Sequence, residues 1–328
     1  MGQTTKIEWS SHTFNPWYGC QKVSPACVHC YAETMSNRQL HKTTYGVQHL
    51  WGPTAMRRIA EDEKWEEPLY WNRVAERRST RAQVFCGSMC DVMEDRRDLD
   101  APRQRLYQLI EQTPFLDWLL VTKRPEKFST LLPESWRSDP RPNVWLMTTC
   151  ENQEWADKRI PELMKVPAVV YGISVEPMLG RIVLPQNFLD LGRSGWVIAG
   201  GESGSSARTT QEEWLTDLRD ECVSHGVAYF FKKWGMFYPD GNNVLVKLTK
   251  TVKEEHPRVE HVLDGREWNE LPAPNQSYLE KRDQLLYECG VDLSPEDGES
   301  DSLEVVGPQS AGPLKNDADQ SSVKEASR

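Results

Sequence analysis

The sequence has no long apolar run. No stretch of roughly 18 apolar residues occurs, which excludes a helix that crosses a membrane. The opening residues, Met1-Gly2-Gln3-Thr4-Thr5-Lys6, lack the apolar core of a secretory signal peptide. Both absences predict a cytoplasmic protein with no membrane partner. A basic excess is also missing, since 39 Lys and Arg stand against 49 Asp and Glu, a net charge of −10. Bulk charge therefore does not advertise a nucleic-acid binder, although basic groups clustered on one face remain compatible with one. A disulfide framework belongs to short secreted chains, and eight cysteines in 328 residues are not that pattern. No internal repeat is visible.

The last stretch lacks aromatic residues altogether. Residues 291–328 carry nine acidic and three basic side chains, a net of −6, which leaves −4 for residues 1–290. Rich in Ser, Asp, Glu, Gly and Pro, this stretch cannot bury enough apolar surface to offset its ordering entropy and reads as a disordered acidic tail.

What the chain does have is a series of short β-branched and aromatic runs, at residues 83–87, 117–122, 143–148, 168–174, 195–200 and 227–231. They do not alternate, which suits strands buried on both faces of a parallel sheet. Another strand is expected near residues 13–17. Helical patterns separate the runs at 101–112, 152–165 and 210–224, with Gly226 placed as a C-terminal cap. Strand followed by helix, repeated, predicts an α/β fold: a partial (βα)6-type, TIM-like barrel of parallel strands over residues 1–236. Residues 237–290 form a small β-rich C-terminal extension, with PDGNN and LDGRE as turns, expected to cap the barrel. Thirteen tryptophans pack the core or line a broad pocket.

Strand after strand ends in polar or small residues: Gly87-Ser88-Met89-Cys90-Asp91, Thr122-Lys123-Arg124, Thr149-Cys150-Glu151, Ser174-Val175-Glu176, Gly200-Gly201-Glu202 and Lys232-Lys233-Trp234. In βα barrels the C-terminal strand ends form the active face, so these segments point to one shared pocket. Glu151, Glu176 and Glu202 are its carboxylates, with ion pairing to Arg124, Arg181 or Arg208 as the structural alternative.

The cysteines are unevenly spread. Cys20, Cys27 and Cys30 form a C-x6-C-x2-C segment over residues 19–31, followed by a helical stretch, YAETMSNRQL. Thiolates suit both iron–sulfur clusters and zinc. A structural zinc wants a fourth ligand, for which His29, Cys86 and Cys90 are candidates. A four-iron cluster on three cysteines leaves one iron open for a ligand. Free thiols are the third reading. The position after the first strand favours a cluster at the barrel mouth.

These three cysteines, with Tyr31 after them, on the first strand-to-helix loop of a partial barrel, resemble the radical S-adenosylmethionine (SAM) superfamily. More closely, TKIEWSSHTFNPWYGC, VFCGSMCDVMED, DWLLVTKRPE, ENQEWADKRIPEL, SVEPMLG, VIAGGESG and FFKKWG resemble a three-cysteine-motif family from phages and bacteria. The stretch Gly87-Ser88-Met89-Cys90-Asp91-Val92-Met93-Glu94 is similar to an element of spore photoproduct lyase-like enzymes.

The resemblance implies a 4Fe-4S cluster held by Cys20, Cys27 and Cys30, which cleaves SAM to a 5′-deoxyadenosyl radical. It implies His29, Tyr31, Ser88, Asp91, Glu94, Lys123 and Glu151 as cofactor contacts, with Lys123 aimed at the carboxylate of SAM. An external electron donor of flavodoxin or ferredoxin type follows from the chemistry. The superfamily's common first gap is three residues where this chain has six. Its GGE element follows the second strand, whereas Gly200-Gly201-Glu202 follows about the sixth. The phage association and the aromatic and basic groups Arg124, Arg208, Lys233 and Trp234, with Glu176 and Glu202, suggest a nucleobase, nucleotide or DNA substrate. Two other classes compete: a zinc-stabilised nucleic-acid-binding protein without catalysis, and a phage or defence component active only with a co-encoded partner protein.

Overall fold

The computed structural model describes residues 5, 7–40, 49–240, 244–255, 258–274 and 276–288. The tail over 291–328 and residues 241–243 of the PDGNN turn lie outside them.

Seven strands form one sheet whose spatial order is the order of the chain. They are β1 (His12–Phe14), β2 (Ala82–Cys86), β3 (Leu116–Thr122), β4 (Val144–Thr149), β5 (Tyr171–Val175), β6 (Gly195–Gly200) and β7 (Ala228–Lys233). Every neighbouring pair is parallel. Each crossover carries helix: α1 (Tyr31–Leu40) and α2 (Asp62–Arg77), α3 (Asp100–Glu111), two short turns, α4 (Gln153–Leu163), another short turn, then α5 (Glu212–Ser224). The result is a parallel half-barrel wrapped by helices, the α/β architecture that the recurring apolar runs predict. No helix among the described residues is long and apolar enough to cross a membrane.

All six residues of β4 and all six of β6 are buried, which explains why their sequences do not alternate. Two large apolar clusters lie between the sheet and its helices. One joins Val84, Trp118 and Leu120 to Leu106 and Ile110 of α3, and the other joins Val197 and Tyr229 to Leu215 and Leu218 of α5. The concave face holds a third cluster, in which Trp9, Trp145 and Trp196 meet edge to face with centroids about 6 Å apart. These tryptophans pack; removing one indole here is worth about 3–5 kcal/mol.

Short-range hydrogen bonds close the helix ends, and Gly226 stands at the C-terminal cap that the sequence predicts. Asn152 caps α4 by accepting from Trp155 N. Gly226, at φ +70°, ends α5, with Gly226 N donating to Val223 O and Val227 N to Cys222 O. That is the six-to-one and five-to-two pairing of a Schellman cap.

One expectation shifts. The first strand is only His12–Phe14; Trp17–Tyr18 pairs antiparallel with Arg58–Ile59 instead. The C-terminal extension packs against the concave-face cluster through Leu271 and Tyr278. Its hairpin, Val262–Leu263 with Arg266–Glu267, turns at Asp264 and Gly265, both at positive φ. The following residues then run along β7, with Phe231 N donating to Trp268 O and Glu270 N to Tyr229 O. The last strand would otherwise present unpaired backbone groups, and this segment covers them.

Candidate functional site

The cysteine loop leaves β1 through Gly19. Its φ is +106°, and a Cβ there would lie 2.2 Å from Leu50 O, so only glycine fits. A 3-10 turn, Pro25–Cys27, follows, and α1 begins at Tyr31, directly after Cys30. Cys20, Cys27 and Cys30 are half-buried free thiols.

Four strand ends hold this loop. Gly19 N donates to Met89 O beyond β2 at 3.1 Å. Beyond β3, Arg124 Nη2 donates to Gln21 O at 2.9 Å, and its Nη1 lies 3.8 Å from Cys20 Sγ. Ala26 N donates to Glu151 Oε1 beyond β4 at 3.1 Å. Beyond β6, His29 Nδ1 lies 3.1 Å from Glu202 Oε2. Tyr31 adds a hydrogen bond from its hydroxyl to Ser88 O at 2.6 Å. Burial pushes the Cys20 thiol up to about 12, Asp91 pushes the same way, and Arg124 opposes both.

Asp91 is the hub beneath the loop. It pairs with Arg124 at 2.7 Å and accepts from Thr122 Oγ1, Lys123 N and Met93 N. Burial alone would raise its carboxyl, but the Arg124 charge and these donors outweigh it and hold it below the usual range. Glu94 is forked by Arg57, a buried arginine that also reaches Leu50 O, Ala55 O and Gly52 O. Ser88 Oγ accepts from Asn15 Nδ2, while Asn15 Oδ1 accepts from Met89 N. Lys123 Nζ donates to Thr149 Oγ1 at 3.3 Å.

The three strand-end glutamates are paired, two of them with partners that spacing did not name. Glu151, fully buried, takes Arg159 Nη1 at 2.9 Å. Glu176 pairs with Lys232, and its other oxygen, Oε1, is buried with no partner among the described residues. Glu202 pairs with Arg208, as expected, through Nε at 2.8 Å and through Nη2. Arg181 stands apart, in an exposed pair with Asp217.

Trp234 is displaced from a stacking role, because its ring is buried against Phe231 and its N–H donates to Val262 O. Lys233 is half-buried at the end of β7; burial lowers its pKa, and neighbouring Lys232 lowers it further. The glycines of Gly200-Gly201-Glu202 have a packing reason. A Cβ on Gly201 would lie 1.9 Å from Trp234 O. That backbone contact sets Glu202 over the cysteine loop and needs no cofactor to explain it. Cys86 and Cys150 are buried, and burial raises both thiols.

Sequence reasoning missed Asn15, Arg57 and Arg159. For Arg159 a signal existed: Trp155, Lys158 and Arg159 recur at i, i+3 and i+4 and share one face of α4.

Among the described residues no group of three or more His, Cys, Asp or Glu is arranged to hold a metal ion. The donor set itself, three thiols on one loop over the strand ends, has the soft chemistry that iron–sulfur clusters and zinc require.

A family described as a protein of unknown function (DUF5131) matches residues 4–272. The chain belongs to this family. No curated protein matches it. Among solved structures it is similar to a cysteine-to-serine mutant of spore photoproduct lyase, at 13% identity and a TM-score of 0.43, over 70% of this chain and 79% of that one.

Proposed function

We propose that this chain is a radical SAM enzyme whose cluster is held by Cys20, Cys27 and Cys30 and whose substrate is a nucleobase, nucleotide or DNA. The observation that carries the reading is the anchoring of one three-thiol loop to four strand ends of a parallel half-barrel. A structural metal has no need of that position, whereas a cofactor that must face a pocket does.

A cluster held by the three thiols and reduced by one electron from a flavodoxin- or ferredoxin-type donor would pass that electron to SAM and break a sulfur–carbon bond, giving methionine and a 5′-deoxyadenosyl radical. The protein's part is to bind, orient and exclude water. Lys123, whose Nζ donates to the Thr149 hydroxyl, offers a point charge to a carboxylate. Glu176 Oε1, buried and without a partner among the described residues, offers an acceptor to an amino or hydroxyl group, and a ligand there would satisfy it. His29 and Tyr31 flank the third cysteine and fix the start of α1 against Glu202 and Ser88. Asp91 and Glu94 act through the arginines they hold, Arg124 and Arg57.

Anaerobic reconstitution with iron and sulfide tests the reading, followed by iron counting and a dithionite-driven assay for 5′-deoxyadenosine. The expected result is about four irons per chain, with both iron and cleavage lost in Cys27→Ala. Tightly bound zinc without cleavage would overturn it.

A further inference from the structure

A cavity of about 610 Å³ opens beside the cysteine loop, between the β3 end and α4. Its walls include Lys123, Arg124, Lys127, Trp155, Lys158 and Arg159, and a volume of this order suits a small organic ligand. The walls hold six basic and four acidic side chains, in a chain whose net charge is −10. Glu94 is neutralised from behind by Arg57, and Glu162 pairs with Lys165.

Arg159 is the unusual member. It is only 3% exposed, and Nη1 is used by Thr149 O and Glu151. Nε and Nη2 are buried with no partner among the described residues. Donors left open on a buried guanidinium are costly unless a ligand takes them. The centroid of the Trp155 ring lies 4.1 Å from the Arg159 guanidinium carbon, and Lys158 Nζ stands 4.8 Å from the same centroid. Lys123 also lines the cavity, its Nζ donating to the Thr149 hydroxyl. Lys127 and Lys158 pair with Asp95 and Glu154 at largely solvent-facing positions, and such pairs are worth little against a multiply charged anion.

We infer that this cavity binds the phosphate group of a nucleotide or of a nucleic-acid strand, with the Arg159 fork as its fixed donor and Lys127 and Lys158 as mobile charges. Planar forks suit phosphate oxygens, and flexible ammonium groups adjust to the rest. The inference rests on the substrate half of the reading above and not on the radical half. Two cavity arginines also hold the cysteine loop, Arg159 through Glu151 and Ala26, and Arg124 through Gln21.

The test titrates the full reconstituted chain with thymidine, thymidine 5′-monophosphate and a short single-stranded DNA at several salt concentrations. SAM cleavage is assayed separately on the same preparation. Tighter binding of the monophosphate than of thymidine by about tenfold, lost in Arg159→Lys, supports a nucleotide phosphate. Salt-dependent binding of DNA alone, with a slope reduced by about one in Lys158→Gln and in Lys127→Gln, supports a strand backbone. The two lysine variants alter exposed groups and keep the test valid should Arg159→Lys fail to fold. Equal binding of thymidine and its monophosphate, with DNA binding unchanged in the lysine variants, overturns the site. Loss of cleavage with phosphate binding intact would overturn only the radical reading.

Discussion

Ala26 and Glu151 meet across 125 positions of the chain, the backbone N–H of one donating to a carboxylate oxygen of the other at 3.1 Å. The second oxygen of that carboxylate is held by Arg159 at 2.9 Å, and the glutamate is fully buried. Glu151→Gln keeps an acceptor for Ala26 but strips Arg159 of its counter-charge. The expected cost is about 3–5 kcal/mol in a denaturant titration, the usual consequence of leaving one member of a buried pair alone. Glu151→Ala removes the acceptor too, so Cys27 should then react faster with an alkylating agent in the metal-free protein, as read by mass spectrometry.

Gly19→Ala tests the turn into the loop. An alanine must adopt a φ of +106° and place its Cβ 2.2 Å from Leu50 O. Destabilisation should exceed about 1 kcal/mol, with reduced iron uptake on reconstitution. Gly265→Ala is the control for backbone strain alone, since its φ is also positive but no atom lies within 4 Å of the added Cβ.

Asp91 gives a pH signature. Its folded pKa lies below the ordinary aspartate value of 3.8, so its contribution to stability is full above that value. It is lost as pH falls from there through the folded pKa. Asp91→Asn should cost about 3–5 kcal/mol near neutrality, because Arg124 loses its buried partner. The gap between wild type and variant should narrow as pH drops below 3.8. A gap that is constant down to the acid limit would show that Arg124 does not stabilise the ionised form.

Cysteine substitutions separate thiols by position. Cys222→Ala and Cys150→Ala alter buried packing residues, so each should retain the iron of the parent. Cys20→Ala and Cys30→Ala should lose it, as Cys27→Ala does. Iron retained in any of the last three would remove that thiol from the site.

Much of this fold is readable from residue order alone. The non-alternating runs around Trp118, Trp145 and Trp196 announce strands buried on both faces, and the cap signal at Gly226 ends its helix where the structure does. The first strand was harder to read, because its three residues, His12–Phe14, lean on a neighbour far along the chain. The site was legible as a set of strand ends but not as a set of pairs. Lys232 reaches Glu176 from another strand end, 56 positions away, and Arg159 meets Glu151 from the helix that follows its own strand; spacing alone does not say which carboxylate takes which cation. Trp234 misled because an aromatic beside two lysines reads as a stacking platform, whereas the backbone contact with Gly201 turns it inward.

The tryptophans of the concave face have a consequence for traffic. Trp9, Trp145 and Trp196 are buried on the concave face, at the opposite end of the strands from the cysteine loop. In the proposed reading, a ligand of the thiols therefore approaches from the strand-end side.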